Sequence, residues 1–413
     1  MTDIRRSVIK RLMRRVNAPT VTARLSALGM RAVGYTGYEI KNLEHHPANL
    51  VTPIFPESRS EVARPKPLGS TKELETTTLP PVTPLVFENI EGKPGSSIFR
   101  HGINALVPRD IYENLNQVYF HNEHEPCIVQ DFRVALRNGS SKRIEKGVCA
   151  FAQGNSNWYH WLAEILPTVL LSRNLPGAYD DYPLLVPETA LEIPSFKDTL
   201  DLCRGDRDVV PVQNAQLYEI GDLVYIPPQV AGPINTQDGK WPEPRNYVQN
   251  IDVMRLLRKN ILQKLNISRT NEGPKRVFLA RPLSNRMYNQ AEIIAEAEKR
   301  GFEPVYLEKL SFRDQVQLMH NADYVVGPTG AAFANTLFMH PGSQSLVWAL
   351  REYAGACFFS NLAHVSGVNM TYCFVEADSP ITNSMQAFCA SYTLPVDVFC
   401  QHLDMLLDKT TPL

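Results

Sequence analysis

Three groups of residues in this 413-residue chain have types and spacings that can do chemistry. The first is QGNSNWYHWLAEILP, Gln153 to Pro167, where a helix beginning near Asn155 or Ser156 sets Asn157, His160 and Glu164 on one narrow face. Trp158, Trp161, Leu162, Ile165 and Val169 fill the adjoining face, so a polar trio against an aromatic stripe suits a cleft wall. A histidine and a glutamate one turn apart can hydrogen-bond, which orients the imidazole and raises its basicity, as a general base requires. The same pair also reads as a buried histidine satisfied by its neighbour. The second group is ARPLSNRMYNQ, in which Arg281 and Arg286 follow the strand-like run RVFLA. Arginine's planar, permanently charged fork suits a diphosphate, although either residue alone is also an ordinary surface side chain. The third is VVGPTGAAFAN, Val325 to Asn335, where a buried strand meets a turn holding Gly327, Pro328 and Gly330 and then a helix. Glycines let backbone approach a ligand, and free N–H groups at a helix start favour phosphate. The bland reading is a tight strand-to-helix turn. The spacing matches neither the nicotinamide nor the P-loop fingerprint.

The elements that must position these groups alternate most regularly in the second half. Arg276 to Ala280 reads as a strand, Gln290 to Arg300 as a helix, Pro304 to Leu307 as a strand, and Ser311 to Asn321 as a helix capped by Ser311 with Asp314 three positions on. The strand Asp323 to Val326, the helix Ala331 to Met339 and the strand Ser343 to Ala349 complete a pattern that predicts a parallel sheet with ligands at its carboxyl edge. The first half predicts another α/β unit, with strands at Cys127 to Leu136, Gly147 to Gln153, Tyr182 to Val186 and Asp222 to Ile226. Residues 241 to 273 read as a hinge region, with a helix from about Asn250 to Leu265.

Upstream, His45 to Pro84 is rich in Pro, Thr, Ser and Glu and reads as an extended connector in which His45 and His46 are solvated loop residues. Ile4, Val8, Ile9, Leu12, Met13 and Val16 repeat at helical spacing among six basic residues, the pattern of a basic amphipathic helix. It fits an anionic membrane surface, or docking on the protein's own body or a second subunit. The expected domains are 1–90 (basic helix and connector), 91–245 (acceptor side), 246–385 (nucleotide-sugar side) and 386–413, a helix packing back on the N-terminal domain.

Composition excludes several classes. Hydrophobic residues at 44% and charged residues at 21% rule out a wholly disordered or collagen-like chain. No run nears the ~18 apolar residues of a membrane-spanning helix. Residues 1–33 hold eight Lys or Arg against one acid, so the remainder of this net −1 chain carries −8, and nucleic acid is not the expected partner. Seven scattered cysteines without C-x-x-C spacing suggest neither a disulfide framework nor a zinc site, and the expectation is a reducing, cytoplasmic setting. Asp206-Arg207-Asp208 matches a D-x-D metal motif, but in the polar loop CRGDRDVVPV it reads as solvated.

The blocks NWYHWLAEILP, RVFLARPLSNRMYNQAEI and GFEPVYLEKLSFRDQVQLMHNADYVVGPTGAAFANTLFMHPGS, in that order, resemble glycosyltransferase family 61, including bacterial capsular polysaccharide biosynthesis proteins. The resemblance covers roughly residues 120 to 350. It implies a GT-B-like α/β fold of two Rossmann-type domains facing each other across a cleft, and an inverting transferase with no metal or other cofactor. The donor would be a nucleotide-sugar and the acceptor a glycan or lipid-linked glycan. By position, His160, Glu164 and Pro167 match the family's histidine block, Arg281 and Arg286 its two arginines, and Asn289 and Glu292 the residues after them. Glu308 and Ser311 match its Glu-x-x-Ser step, and Gly327, Gly330, Ala331 and Asn335 its glycine turn. Thr329 stands where the family often has histidine and Gln290 where it often has an acid. His160 and Glu164 are then the expected catalytic pair, with Glu164 the second choice of base. Arg281, Arg286, Glu308, Gly327, Thr329, Gly330, Ala331 and Asn335 are the expected donor site, with Asn157 and Trp158 on the acceptor side. Residues 4–16 would touch the inner face of a membrane, and a homo-oligomer is compatible with the sequence. A sugar-binding scaffold and a nucleotide-sugar-modifying enzyme such as an epimerase remain the competing readings.

Overall fold

Short hairpins and long crossovers divide the sheets of this protein. Its computed structural model describes residues 29–116, 127–130, 132–232, 236–282 and 286–408. The basic segment at 4–16 lies outside the described residues.

The first half contributes β1 (Tyr35–Asn42), β2 (Asn49–Leu50), β3 (Ser58–Ala63), β4 (Leu74–Leu79), β5 (Leu85–Gly92), β6 (Phe99–His101), β7 (Asn104–Val107), β8 (Cys127–Gln130), β9 (Arg133–Arg137) and β10 (Ser141–Cys149). It continues with β11 (Leu184–Pro187), β12 (Val209–Val212), β13 (Leu217–Tyr225), β14 (Val230–Ala231) and β15 (Val248–Gln249). Eleven of these form one mixed sheet in the order β12-β11-β10-β13-β5-β6-β7-β1-β9-β8, with β2 on β5. The stretch β12-β11-β10-β13 has the parallel pairing expected of a Rossmann-type unit, and further along the sheet β1 runs parallel to β7. From β13 to β5, β6 and β7 the pairing is antiparallel. The link between β6 and β7 is too short for a helical crossover, which parallel strands would require. The first half is therefore a mixed sheet and not a second doubly wound one.

The expected connector is also structured. β3 and β4 form an antiparallel hairpin across Ser58–Leu79, and its strand β3 fastens to the helix Phe358–Ser366. Ala63 N donates to Asn361 Oδ1 (2.8 Å), Ser360 Oγ to Ala63 O (2.7 Å), and His364 Nε2 to Glu61 Oε2 (2.8 Å). Prolines around these short strands mask them, and the residues that anchor β3 lie about 300 positions away. His46 is no solvated loop residue either: it is half-buried, 2.9 Å from a ring nitrogen of His101.

The second half follows the expected alternation closely. β16 (Arg276–Leu279), β17 (Glu303–Val305), β18 (Tyr324–Pro328), β19 (Gln344–Leu350) and β20 (Asn369–Val375) form an all-parallel sheet in the order β17-β16-β18-β19-β20. β18 and β19 are buried along nearly their whole length, as a sheet covered on both faces requires. The helix Phe312–Asn321 is capped by Ser311, whose Oγ accepts from Asp314 N. The helix Val396–Leu407 packs on this sheet, not on the first half: Phe399 meets Trp348 with ring centroids 5.5 Å apart, and Arg300 pairs with Asp404 at 2.6 Å. One continuous apolar core runs from Val51 through Trp161 and Val326 to Leu406, joining the second-half sheet to the parallel strands of the first. No helix among the described residues is long and apolar enough to cross a membrane.

Candidate active site

His160 enters the site from a helix whose winding changes at that residue. Helical backbone begins at Trp158, and His160–Ile165 forms a π-helical turn that runs into the α-helix Leu166–Leu171. Such turns are uncommon and gather at functional sites. Asn157 stands before the helix, where its Oδ1 accepts from Tyr159 N (2.9 Å) as a cap. The face expected to carry all three polar side chains is therefore shorter by its first member. His160 Nδ1 and Glu164 Oε2 are 2.6 Å apart, both side chains largely buried. A carboxylate on Nδ1 fixes the tautomer with Nε2 as the nitrogen that takes up a proton.

Gly154 seats the imidazole. Its φ is +77°, and a Cβ there would lie 2.7 Å from the His160 ring, closer than any side chain can approach. The sequence QGNSNWYH thus holds a glycine whose place is set by the histidine six positions on.

Behind the pair, Asp110 feels the charges of Glu164 and Glu44. Burial, reinforced by Glu164, raises its carboxyl from the ordinary 3.8 to about 7. The folded state thus binds this proton more tightly than the unfolded chain. Its stabilising contribution is complete below pH 3.8 and is lost as pH rises towards 7. Asp110→Asn should therefore leave stability near pH 4 unchanged and raise it at pH 8 by about 2 kcal/mol. That is half of the roughly 4 that such a shift converts to, because the residue as a whole keeps some exposure to water. Denaturant unfolding at the two pH values measures it; equal stability of the two proteins at pH 8 would refute the assignment.

Across from His160, the carboxyl end of β18 delivers Thr329, Gly330 and Ala331, and the loop after β16 delivers Arg286. These residues line one cleft of roughly 600 Å³, counted with its opening to solvent, together with Asn157 and His160. Apart from Ala356, its remaining wall is aromatic: Tyr159, Tyr353, Phe358, Phe359, Tyr372 and Phe388. Arg286 has φ +55°, a strained conformation for a residue with a side chain, and its guanidinium lies 5.2 Å from the centre of the Phe388 ring.

The other expected donor-site residues are placed elsewhere. Arg281 turns onto backbone: Nη2 donates to Arg286 O, Nη1 approaches Thr329 O at 3.4 Å, and the guanidinium lies over Tyr288. It ties the arginine loop to the glycine turn, and burial lowers its pKa. Gln290, where the resemblance often has an acid, clamps the same residue by bonding its backbone N (3.1 Å) and O (3.0 Å). Asn289 bridges to Glu292 and to Leu394. Gly327 lies behind the cleft, where a Cβ would meet Leu279 O at 2.9 Å, so it serves close strand packing. Ala331–Phe338 winds as a 3-10 helix and not the expected α-helix, so Asn335 is buried with its Nδ2 on Ala332 O (3.2 Å). Glu308 is exposed and outside the cleft, and Trp158 packs between Phe196 and Phe312. In the D-x-D segment, Arg207 points inward to the carbonyls of Tyr179, Tyr182 and Ser172.

The aromatic wall was not foreseen. Its members beyond position 345 carry no spacing motif; the one local signal is the adjacent pair Phe358-Phe359, which a buried amphipathic helix explains equally well.

A carboxylate-backed histidine facing an arginine at the carboxyl edge of a parallel sheet equips an enzyme to activate a hydroxyl beside an anionic group. Over residues 158–346 the chain matches the family described as Glycosyltransferase 61. It is accordingly a glycosyltransferase, taking a sugar donor and a glycan acceptor. The match begins one residue after Asn157 and ends before Tyr353, so most of the aromatic wall lies beyond it. No curated protein matches the chain.

Proposed function

We propose that the protein transfers a sugar from a nucleotide-activated donor to a glycan or glycolipid acceptor, with inversion at the anomeric carbon and without a metal, in the building of a capsular or other surface polysaccharide. The two sheets then divide the work as in a GT-B enzyme, donor on the second and acceptor on the first. The observation that carries this reading is the shared cleft of His160, backed by Glu164, with Arg286, Thr329 and Gly330.

In this reading His160 Nε2 removes the proton of the acceptor hydroxyl, whose oxygen attacks the anomeric carbon from the face opposite the leaving group. The bond from that carbon to the diphosphate oxygen breaks, and the diphosphate departs as an anion. Glu164 steadies the imidazolium that forms. Arg286 answers the charge growing on the leaving oxygen, which is where preorganised donors act most strongly. Arg281 serves by holding the backbone of Arg286 and Thr329 in register. Asn157, which lines the cleft on the first-half side, would meet the acceptor. Peripheral attachment through residues 4–16 would bring a lipid-linked acceptor to the cleft.

Thermal unfolding of the whole chain against UDP, GDP, CMP and their sugars, with and without EDTA, tests this. A ligand at 100 times its Kd stabilises the folded state by about 2.7 kcal/mol. One nucleotide family should raise the midpoint, equally in EDTA. A rise abolished by EDTA would refute the metal-free donor site, and no rise from any nucleotide would refute the donor reading.

A further inference from the structure

Tyr353 is buried, 7% exposed, lines the cleft, and its hydroxyl has no hydrogen-bond partner. An orphaned hydroxyl is costly to bury; this one is closed off from solvent, so a ligand in the cleft completes it once the ring turns towards it. Its surroundings say which ligand. The Tyr353 ring meets Phe388 edge-on at 5.5 Å, and the Arg286 guanidinium covers the same Phe388 at 5.2 Å. Phenol and guanidinium are thus two donors that both pack against one aromatic ring. Burial keeps the phenol protonated, with Arg286 close enough to pull in the opposite direction. A protonated phenol donates one hydrogen bond. Beside a fixed cation, the acceptor that best matches it is an anionic oxygen, to which such bonds are short and strong.

We propose that Tyr353 is a second side-chain ligand of the donor's diphosphate, its hydroxyl donating to a phosphate oxygen while Arg286 holds the same diphosphate. The proposal rests on the reading of this cleft as a nucleotide-sugar site. It extends that site beyond the matched family segment, onto the Arg351–Tyr353 turn after β19. Phe388 spaces the two donors without bonding the ligand.

Isothermal titration of UDP, GDP and the nucleosides uridine and guanosine into the full chain, as wild type, Tyr353→Phe and Arg286→Ala, tests it. Phenylalanine keeps the ring against Phe388 and removes only the oxygen, so unchanged thermal unfolding is the control for folding. Tyr353→Phe should weaken the diphosphate that binds by about 5- to 30-fold, the range of a hydrogen bond to a charged group, and leave its nucleoside unchanged. If Arg286→Ala weakens the diphosphate and Tyr353→Phe does not, the tyrosine assignment is overturned while the donor site stands. Equal weakening of nucleoside and diphosphate by Tyr353→Phe also overturns it, since the hydroxyl would not then be reading phosphate. Failure of the wild type to bind either diphosphate overturns the donor reading and the tyrosine with it.

Discussion

His160→Ala should lower turnover by two to four orders of magnitude while leaving nucleoside diphosphate affinity within a few fold of wild type. That range is what a positioned general base contributes. The split between turnover and binding follows from placement, because His160 and Arg286 reach the cleft from different halves of the chain. Three features of the fold converge on this imidazole: the Glu164 carboxylate at 2.6 Å, the π-helical turn that begins at it, and Gly154, which has no Cβ to displace it. Steady-state turnover with a saturating nucleotide-sugar, alongside titration of the nucleoside diphosphate, measures both quantities. Turnover within threefold of wild type would make His160 structural and move the search for the base to Glu164.

The parts of this site that can be read from sequence are those made by neighbours in the chain. His160 and Glu164 are four positions apart, and a helix brings them together whatever surrounds it. The second-half sheet is legible for a related reason: fully buried parallel strands are continuous apolar runs, and the helices between them keep a regular period. The hairpin β3–β4 is not legible because its short strands lie among prolines and β3 is anchored by residues as distant as Asn361, and the antiparallel pairing of β13 with β5 joins segments far apart in the chain. The same limit explains Arg281. Its type and loop position fit a phosphate, and only the fold reveals that the carbonyls of Thr329 and Arg286 occupy its guanidinium. Tyr353 and Phe388, brought to Arg286 from 67 and 102 positions further along, leave no trace in local spacing.

Arg286→Ala should weaken nucleoside diphosphate binding by about 100-fold and lower turnover at fixed donor concentration at least as much. Two charge-assisted hydrogen bonds from one planar fork are worth roughly 3 kcal/mol together, which converts to that factor. The substitution isolates the side chain cleanly, because alanine at φ +55° carries the same backbone strain as arginine does. Lysine is the informative companion. It restores the charge but not the fork, and its ammonium matches neither the flat Phe388 face nor two phosphate oxygens at once, so Arg286→Lys should recover only part of the loss. Full recovery by lysine would mean that charge alone is read and that the guanidinium's stacking on Phe388 is incidental. No loss in the alanine variant would remove Arg286 from the donor site and leave the backbone at Thr329 and Gly330 as the remaining anion contact.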